Sequence, residues 1–434
     1  MAPKTDPNLQ KQVIYSLYVR AHTEEGSFLS IIPDLDRIRD LGTDIIWFMP
    51  IHPIGEKGRK GSLGCPYANR DYRTVNPQYG TEADFRLLVD EIHKRGMKCI
   101  IDVVYNHTSP DAVLLDEHPD FYWRDENGNT GNKIGDWADV IDLDYSNTGL
   151  WDYQLETLLG WARVVDGFRC DVASFVPVTF WNMARGLVNR EHPEHIWLGE
   201  TVHRSFGNFA RREGFYSCRD SEAFEVFDIE YDYDIWEEFE HWQEGKLPLS
   251  GWLEMMNFQE AVYPANYNKL RCLENHDQPR AAACFPDEAA CDNMTAMLFF
   301  LKGTTMLYGG QEFYCTHRTS LFEQETFPRT GRDISAYLRK LSDIKHTALD
   351  ADDGFFAEAD DENEIAVLLR QNETTMKIGV FSLKAKSAEA EVPAPDGSYE
   401  NLIDGRTVTV KDGKLRCEGR PVIFTLPNPI TKKY

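Results

Sequence analysis

The sequence predicts a (β/α)8 barrel, an α/β fold, followed by a small antiparallel β-sandwich. Three observations lead there. Eight short apolar runs alternate with helix-spaced patterns up to about residue 345, the runs are continuously apolar, and short strands with tight turns take over from about 363. Continuous apolar runs indicate strands buried on both faces, hence a parallel sheet covered by helices. Eight strand–helix units suit a closed barrel with insertions better than an open doubly wound sheet. No Gly-x-Gly-x-x-Gly follows the first run, which also argues against a dinucleotide fold.

The runs are VIYSLYV (13–19), DIIWFM (44–49), KCIIDVV (98–104), VDGFRCD (165–171), IWLGE (196–200), AFEVFDI (223–229), LRCLEN (270–275) and TTMLYG (304–309). Between them Ile31, Leu35, Ile38 and Leu41 mark one helix face that stops at Gly42, and Leu150, Tyr153, Leu158, Trp161 and Val165 mark another. The connections 50–80 and 108–148 are too long to be plain loops and are expected to carry function. Beyond the barrel, EIAVLLR, TMKIGVFSL, TVTV and PVIFTL are strands separated by PDGS, DGR and KDG turns. The expected division is a barrel domain over 1–349 with 108–148 inserted after the third strand, then a sandwich over 350–434. The polar stretch DADDGFFAEADDEN (350–363) reads as the linker.

Composition narrows the partners. A net charge of −25 over 434 residues excludes a nucleic-acid or anionic-membrane partner, because phosphates need lysine and arginine. No stretch reaches the roughly 18 apolar residues of a membrane helix, and the polar N-terminus MAPKTDPNLQKQ has no leader-like apolar core. Nine scattered cysteines without a Cys-x-x-Cys pair read as reduced thiols of a cytoplasmic protein.

Catalytic groups of such barrels sit at the C-terminal ends of the strands. Those ends carry Asp102, Asn106 and His107, then Arg169 and Asp171, then Glu200, then Asn275, His276 and Asp277. One aspartate closing a strand is commonly a cap or turn former. Four carboxylates, two histidines and an arginine from four strand ends ask for another explanation. Two carboxyl groups flanking a scissile bond are the apparatus of glycoside hydrolysis. Arg169 and Asp171, two residues apart on a strand, point the same way. The arginine is therefore expected to lower the aspartate's pKa and keep it ionised. Glu200, in the apolar IWLGET with no neighbouring cation, is expected to stay protonated as an acid.

The segments DVVYNH, GFRCDVAS, WLGET and ENHD resemble the conserved regions of the α-amylase superfamily (glycoside hydrolase family 13), over about residues 10–345. The resemblance implies that Asp171 is the nucleophile, Glu200 the acid/base and Asp277 the stabiliser of the distorted sugar. It makes His107 and His276 hydrogen-bond donors to the bound glucose, and Arg169 the residue that orients the nucleophile. CPYANRDYRTVNPQYGT resembles the family segment in which a tyrosine, here Tyr67, stacks on the same sugar four residues before an aspartate, here Asp71. VIDLDYSN (140–147) resembles the region that ends the family's inserted domain B.

The activity implied is retaining hydrolysis of α-glucosidic bonds, mainly α-1,4, in malto-oligosaccharides or α-glucans. A glucanotransferase, maltosyltransferase or phosphorylase using the same intermediate is the alternative. GFRCDVASFVPVTFW resembles the second region of cyclomaltodextrinases and neopullulanases more than that of secreted amylases, and the preference between α-1,4 and α-1,6 linkages stays open. PIHPIGEKGRKG (50–61) resembles a loop of maltosyltransferases; its Lys57, Arg59 and Lys60 read as a solvated basic loop. Many members carry Lys-His after the nucleophile, where this chain has Val172-Ala173-Ser174-Phe175. No cofactor is therefore expected, and calcium is expected to be dispensable although Asn106 and Asp142 match two of its ligands.

Overall fold

The computed structural model describes residues 5–135 and 137–429. Eight parallel strands close into a barrel: β1 (Val13–Leu17), β2 (Ile45–Phe48), β3 (Lys98–Val103), β4 (Gly167–Cys170), β5 (Ile196–Gly199), β6 (Ile229–Tyr231), β7 (Lys269–Arg271) and β8 (Thr304–Tyr308). They follow one another around the ring in sequence order, and β1 pairs with both β2 and β8. Buried on both faces, these strands need no polar alternation.

Six of the eight apolar runs contain their strand whole, and LRCLEN covers two of the three residues of β7. The exception is AFEVFDI. Asp220–Ala223 is a short helix and Phe224–Phe227 a turn, buried against the barrel, and β6 starts only at Ile229. The run is apolar because the turn is covered, whereas the true strand is broken by Glu230, which faces Lys269 in register on β7.

The helix expected from Ile31 to Leu41 is split. Phe28–Ile31 and Leu35–Asp40 are separated by a 3-10 turn at Ile32–Asp34, where Pro33 removes a backbone donor. Gly42 ends it at φ +88°, and a Cβ there would lie 2.3 Å from Ser342 Cβ, so only glycine serves. The second predicted helix is Thr148–Ala162, opened by Asn147, whose side chain accepts from Gly149 N–H.

The C-terminal part consists of two four-stranded antiparallel sheets. One holds β9 (Gly354–Asp360), β10 (Ile365–Gln371), β11 (Thr375–Ser382) and β16 (Val422–Pro427). The other holds β12 (Ser387–Glu391), β13 (Gly397–Glu400), β14 (Thr407–Lys411) and β15 (Lys414–Glu418). Ile378, Val380 and Phe424 meet Ala390, Leu415 and Cys417 between them, which makes a sandwich. The stretch read as a linker is thus half strand. Phe355 and Ala357 turn inward along β9, while Gly354, Phe356 and Glu358 between and beside them face out. Asn257, on the helix Leu249–Val262, bonds both the N–H and the C=O of Ala357 at 2.9 Å and so covers this edge strand.

Candidate active site

Arg169 is the hub. It points from β4 into the barrel, fully buried, with its guanidinium carbon 5.1 Å from the Trp47 ring centre, 5.2 Å from Tyr231 and 5.7 Å from Tyr67. Its Nη1 donates to Asp171 Oδ1 at 2.7 Å and to Asp102 Oδ1 and Oδ2 at 2.9 and 3.1 Å. Asp102 stands beside Arg169 because β3 and β4 pair with those two residues in register. Its Nη2 lies 2.7 Å from Glu200 Oε2 without the alignment of a hydrogen bond. Glu200 Oε2 instead accepts from the backbone N–H of Val172 at 2.8 Å. Val172 reaches that position at φ +34° and ψ +46°, a left-handed conformation that a β-branched residue adopts only under strain.

Electrostatics modify one expectation and overturn another. Glu200 does have a cation beside it, since β4 and β5 are neighbours and Arg169 reaches across. Burial nevertheless dominates and, with Asp171 and Asp277 nearby, lifts its pKa to about 7. Asp171 is raised rather than lowered. Burial outweighs Arg169, and Asp102 and Asp277 add repulsion. Asp102 is likewise raised by burial against the pull of Arg169. One guanidinium serving three carboxyl groups cannot depress them all. Arg169 gives an aligned hydrogen bond to Asp171 and none to Glu200, so Asp171 ionises before Glu200.

The other predicted residues surround this hub. His107 Nε2 lies 4.0 Å from Asp171 Oδ2, and burial lowers its pKa. Tyr67 donates to Asp102 Oδ2 at 2.9 Å and stacks on His276 with centroids 5.0 Å apart and planes 13° apart. His276 Nε2 sits 3.2 Å from Asp277 Oδ2. Burial disfavours charge on Asp277, but His276, aided by Arg169 and Arg318, brings its pKa down to about 2. Its side chain is 52% exposed, against 8% for Asp171 and Glu200, so it is the carboxylate most open to solvent.

Asp71 is not part of this cluster. Its two oxygens accept from Arg73 N–H at 2.9 Å and Thr74 Oγ1 at 2.8 Å, so it closes a local turn and makes no recorded contact with the hub. Asp102, named in the sequence only as a strand end, belongs to the cluster instead.

Asn106 and Asp142 lie beside the cluster. Asn106 Nδ2 faces Asp142 Oδ1 at 3.4 Å and the His107 ring at 3.2 Å, while Asp142 Oδ2 accepts the Lys133 backbone N–H at 2.7 Å. Among the described residues no group of three or more acidic, histidine or cysteine side chains is arranged to hold a metal.

Comparison with known proteins agrees with the geometry. The model of the alpha amylase catalytic domain matches residues 18–133 and 130–355, and that of the bacterial alpha amylase C-terminal domain matches 356–424. A crystal structure of an alpha-amylase from Lactobacillus plantarum superposes with TM-score 0.93 at 40% identity, over 97% of this chain and 100% of that one. A maltogenic alpha-amylase from Thermotoga neapolitana gives 0.86 at 31% identity, over 97% and 100%. The alpha-1,4-glucan:maltose-1-phosphate maltosyltransferase of Pseudomonas aeruginosa is 31% identical over 216 residues, 44% of this chain and 32% of that protein. The chain spans about half or less of the length of the first curated relatives it matches.

Proposed function

The chain belongs to the α-amylase family, and from that premise we propose that it is a retaining glycoside hydrolase of malto-oligosaccharides or α-glucans, acting mainly on α-1,4 bonds. The observation that carries this is the single buried guanidinium touching oxygens of both Asp171 and Glu200 at 2.7 Å. In this reading Asp171 attacks the anomeric carbon while Glu200 gives its proton to the departing glycosidic oxygen. The bond to that oxygen breaks and a glycosyl ester forms on Asp171. Glu200, now a carboxylate, takes a proton from water, whose oxygen displaces Asp171 and releases the sugar.

The supporting cast follows from position. Asp277, anionic beside His276 and half exposed, is placed to meet the sugar hydroxyls. Tyr67, pinned by Asp102 and His276, offers its ring to an apolar sugar face. The chemistry runs on side chains alone, with no metal. Nine free cysteines favour an intracellular setting, and among the described residues no helix is long and apolar enough to cross a membrane.

The test is the anomeric proton of the product, followed by NMR from the first minutes of maltotriose hydrolysis. The α form should appear before mutarotation; initial release of the β form overturns the mechanism. A second reading, transfer to a sugar or phosphate, is favoured by the maltosyltransferase likeness. It would show as longer oligosaccharides or a sugar phosphate when maltose or phosphate is added.

A further inference from the structure

We propose that residues 55–64 form a fixed strap across the donor side of the cleft, so that the protein cuts α-glucans from their non-reducing ends and not within the chain. This builds on the hydrolytic reading above and adds which bonds of a chain are reached.

The strap is pinned on both sides. GEKGRKGSLG carries a glycine at every third position, and two of these mark close approaches. A Cβ on Gly55 would lie 2.1 Å from Ser109 Cβ in the inserted segment, and one on Gly61 2.6 Å from Phe322 Cβ in the connection after β8. Polar contacts repeat the pattern. Glu56 N–H donates to Asp111 Oδ2 at 2.9 Å, and Lys60 Nζ lies 2.9 Å from Oδ1 of the buried Asp139, both in the inserted segment. On the other side Ser62 gives its N–H to Glu323 Oε1 at 2.9 Å and its hydroxyl to Oε2, and Leu63 N–H donates to Phe322 O at 3.0 Å. Beneath, Nη1 of the buried Arg20 donates to Gly64 O and Leu321 O, each at 3.2 Å, so one guanidinium ties the strap to the β8 connection. Lys60 is thus engaged where the sequence suggested a solvated basic loop, while Lys57 and Arg59 are exposed.

Position decides which half of the substrate meets the strap. Glu200 protonates the departing oxygen, so the released part of the chain lies on its side, at the end of β5. The part retained on Asp171 extends the opposite way, over Tyr67, which follows β2 and comes three residues after Gly64 in the same connection. β2 and β5 stand three strands apart around the eight-stranded ring. A strap that joins the insertion after β3 to the connection after β8 spans the arc of the rim above β1 and β2 and leaves the arc from β4 to β7 open. A chain that continues beyond the donor sugars runs into this peptide; a chain that ends there fits.

Amylose tests this, with chain length followed by iodine staining against the reducing ends released. Per bond cut, wild type should shorten chains on the order of tenfold less than random internal cleavage does. The full chain carrying Lys60→Ala with Glu323→Ala loses a contact on each side of the strap and no group of the catalytic cluster. It should move that ratio several-fold toward internal cleavage, with kcat/KM on maltotriose within about threefold of wild type. Internal cleavage by wild type, or an unchanged ratio in the variant, overturns the inference and leaves the hydrolytic reading standing. If wild type frees no reducing ends from amylose or maltotriose, the hydrolytic reading falls and takes the inference with it. Should the double variant not fold, Lys60→Ala and Glu323→Ala are measured singly; an unchanged ratio in both also overturns the inference.

Discussion

Two of the barrel's buried cations are each ringed by three carboxyl groups, and only one of the two rings looks like a machine. Arg169 gathers Asp102, Asp171 and Glu200 inside the barrel. Lys269 gathers Asp220 at 2.5 Å, Asp234 at 3.1 Å and Glu230 at 3.5 Å on the outer face of β6 and β7. They lie back to back across Tyr231, whose ring faces the guanidinium and whose carbonyl accepts from the ammonium at 3.2 Å. Their titration behaviour is alike. Burial raises Asp220 to about 6 and Glu230 well above its usual range, just as it raises Asp171 and Glu200. What differs is the company the carboxyl groups keep and not exposure, since Asp220 and Asp234 are each 15% exposed against 8% for Asp171 and Glu200. Asp171 and Glu200 stand among His107, His276 and the exposed Asp277, whereas the Lys269 ammonium is roofed by the rings of Phe224 and Tyr263 and bonded to Asp220. A perturbed carboxyl is therefore a statement about burial, and the groups around it decide whether it can act as a catalyst.

The sharpest test of that distinction is to neutralise one carboxylate in each ring. Asp171→Asn should cost on the order of 10⁴-fold or more in kcat while the fold and ligand binding persist. Glu230→Gln should leave kcat within about threefold, since nothing reacts there. A large loss of turnover in Glu230→Gln, with melting unchanged, would break the comparison.

Glu200→Gln should lose about 10²- to 10⁴-fold on natural oligosaccharides and much less on aryl glucosides that need no proton. Equal losses on both substrates would deny Glu200 the acid role. The pH profile carries the same information. Glu200 works protonated, so kcat should fall as pH rises through about 7. Asp102→Asn should move that limb to lower pH, because Arg169 would then share its charge among fewer carboxylates. Stability follows the linked sign. The native state holds the Glu200 proton up to about 7, whereas the usual value is 4.5, so this group's contribution diminishes as pH rises between the two. Glu200→Gln should flatten the fall in melting temperature over that window.

Smaller effects belong to structure alone. Lys269→Met strands its carboxyl groups and should cost about 3–5 kcal/mol in denaturant unfolding, with kcat/KM nearly kept. Arg86→Ala removes an exposed pair with Glu82 at 2.7 Å and should change stability by no more than about 0.5 kcal/mol. That last figure sets the scale for a charge pair in water.

Much of this was legible before any coordinates. The apolar runs place seven strands, since strands covered on both faces advertise themselves. AFEVFDI misleads because a buried turn is as apolar as a strand, and Glu230 interrupts the strand where it answers Lys269 on the neighbouring strand. Asp171, Glu200, His107, His276 and Tyr67 converge as expected because barrel topology brings strand ends together whatever lies between them. Asp71 stays outside the cluster because the turn formed by the residues two and three ahead takes its oxygens. The Arg169–Glu200 contact and the competition of Asp102 for the same guanidinium depend on lateral strand register. Register lines up residues 67 apart in Asp102 and Arg169, which local sequence does not announce.

The backbone at Val172 has a consequence for anyone who tries to improve this protein by heat. A β-branched residue at φ +34° costs on the order of 1–3 kcal/mol, and it does so while its N–H holds the Glu200 carboxyl. Asparagine tolerates that conformation better. A library screened only for survival at high temperature should therefore enrich Val172→Asn. The survivors would keep the hydrogen bond but lose the apolar wall that Val172 forms with Phe175, Val202 and Phe206. Selection for ruggedness and selection for turnover should thus pull this one position in opposite directions.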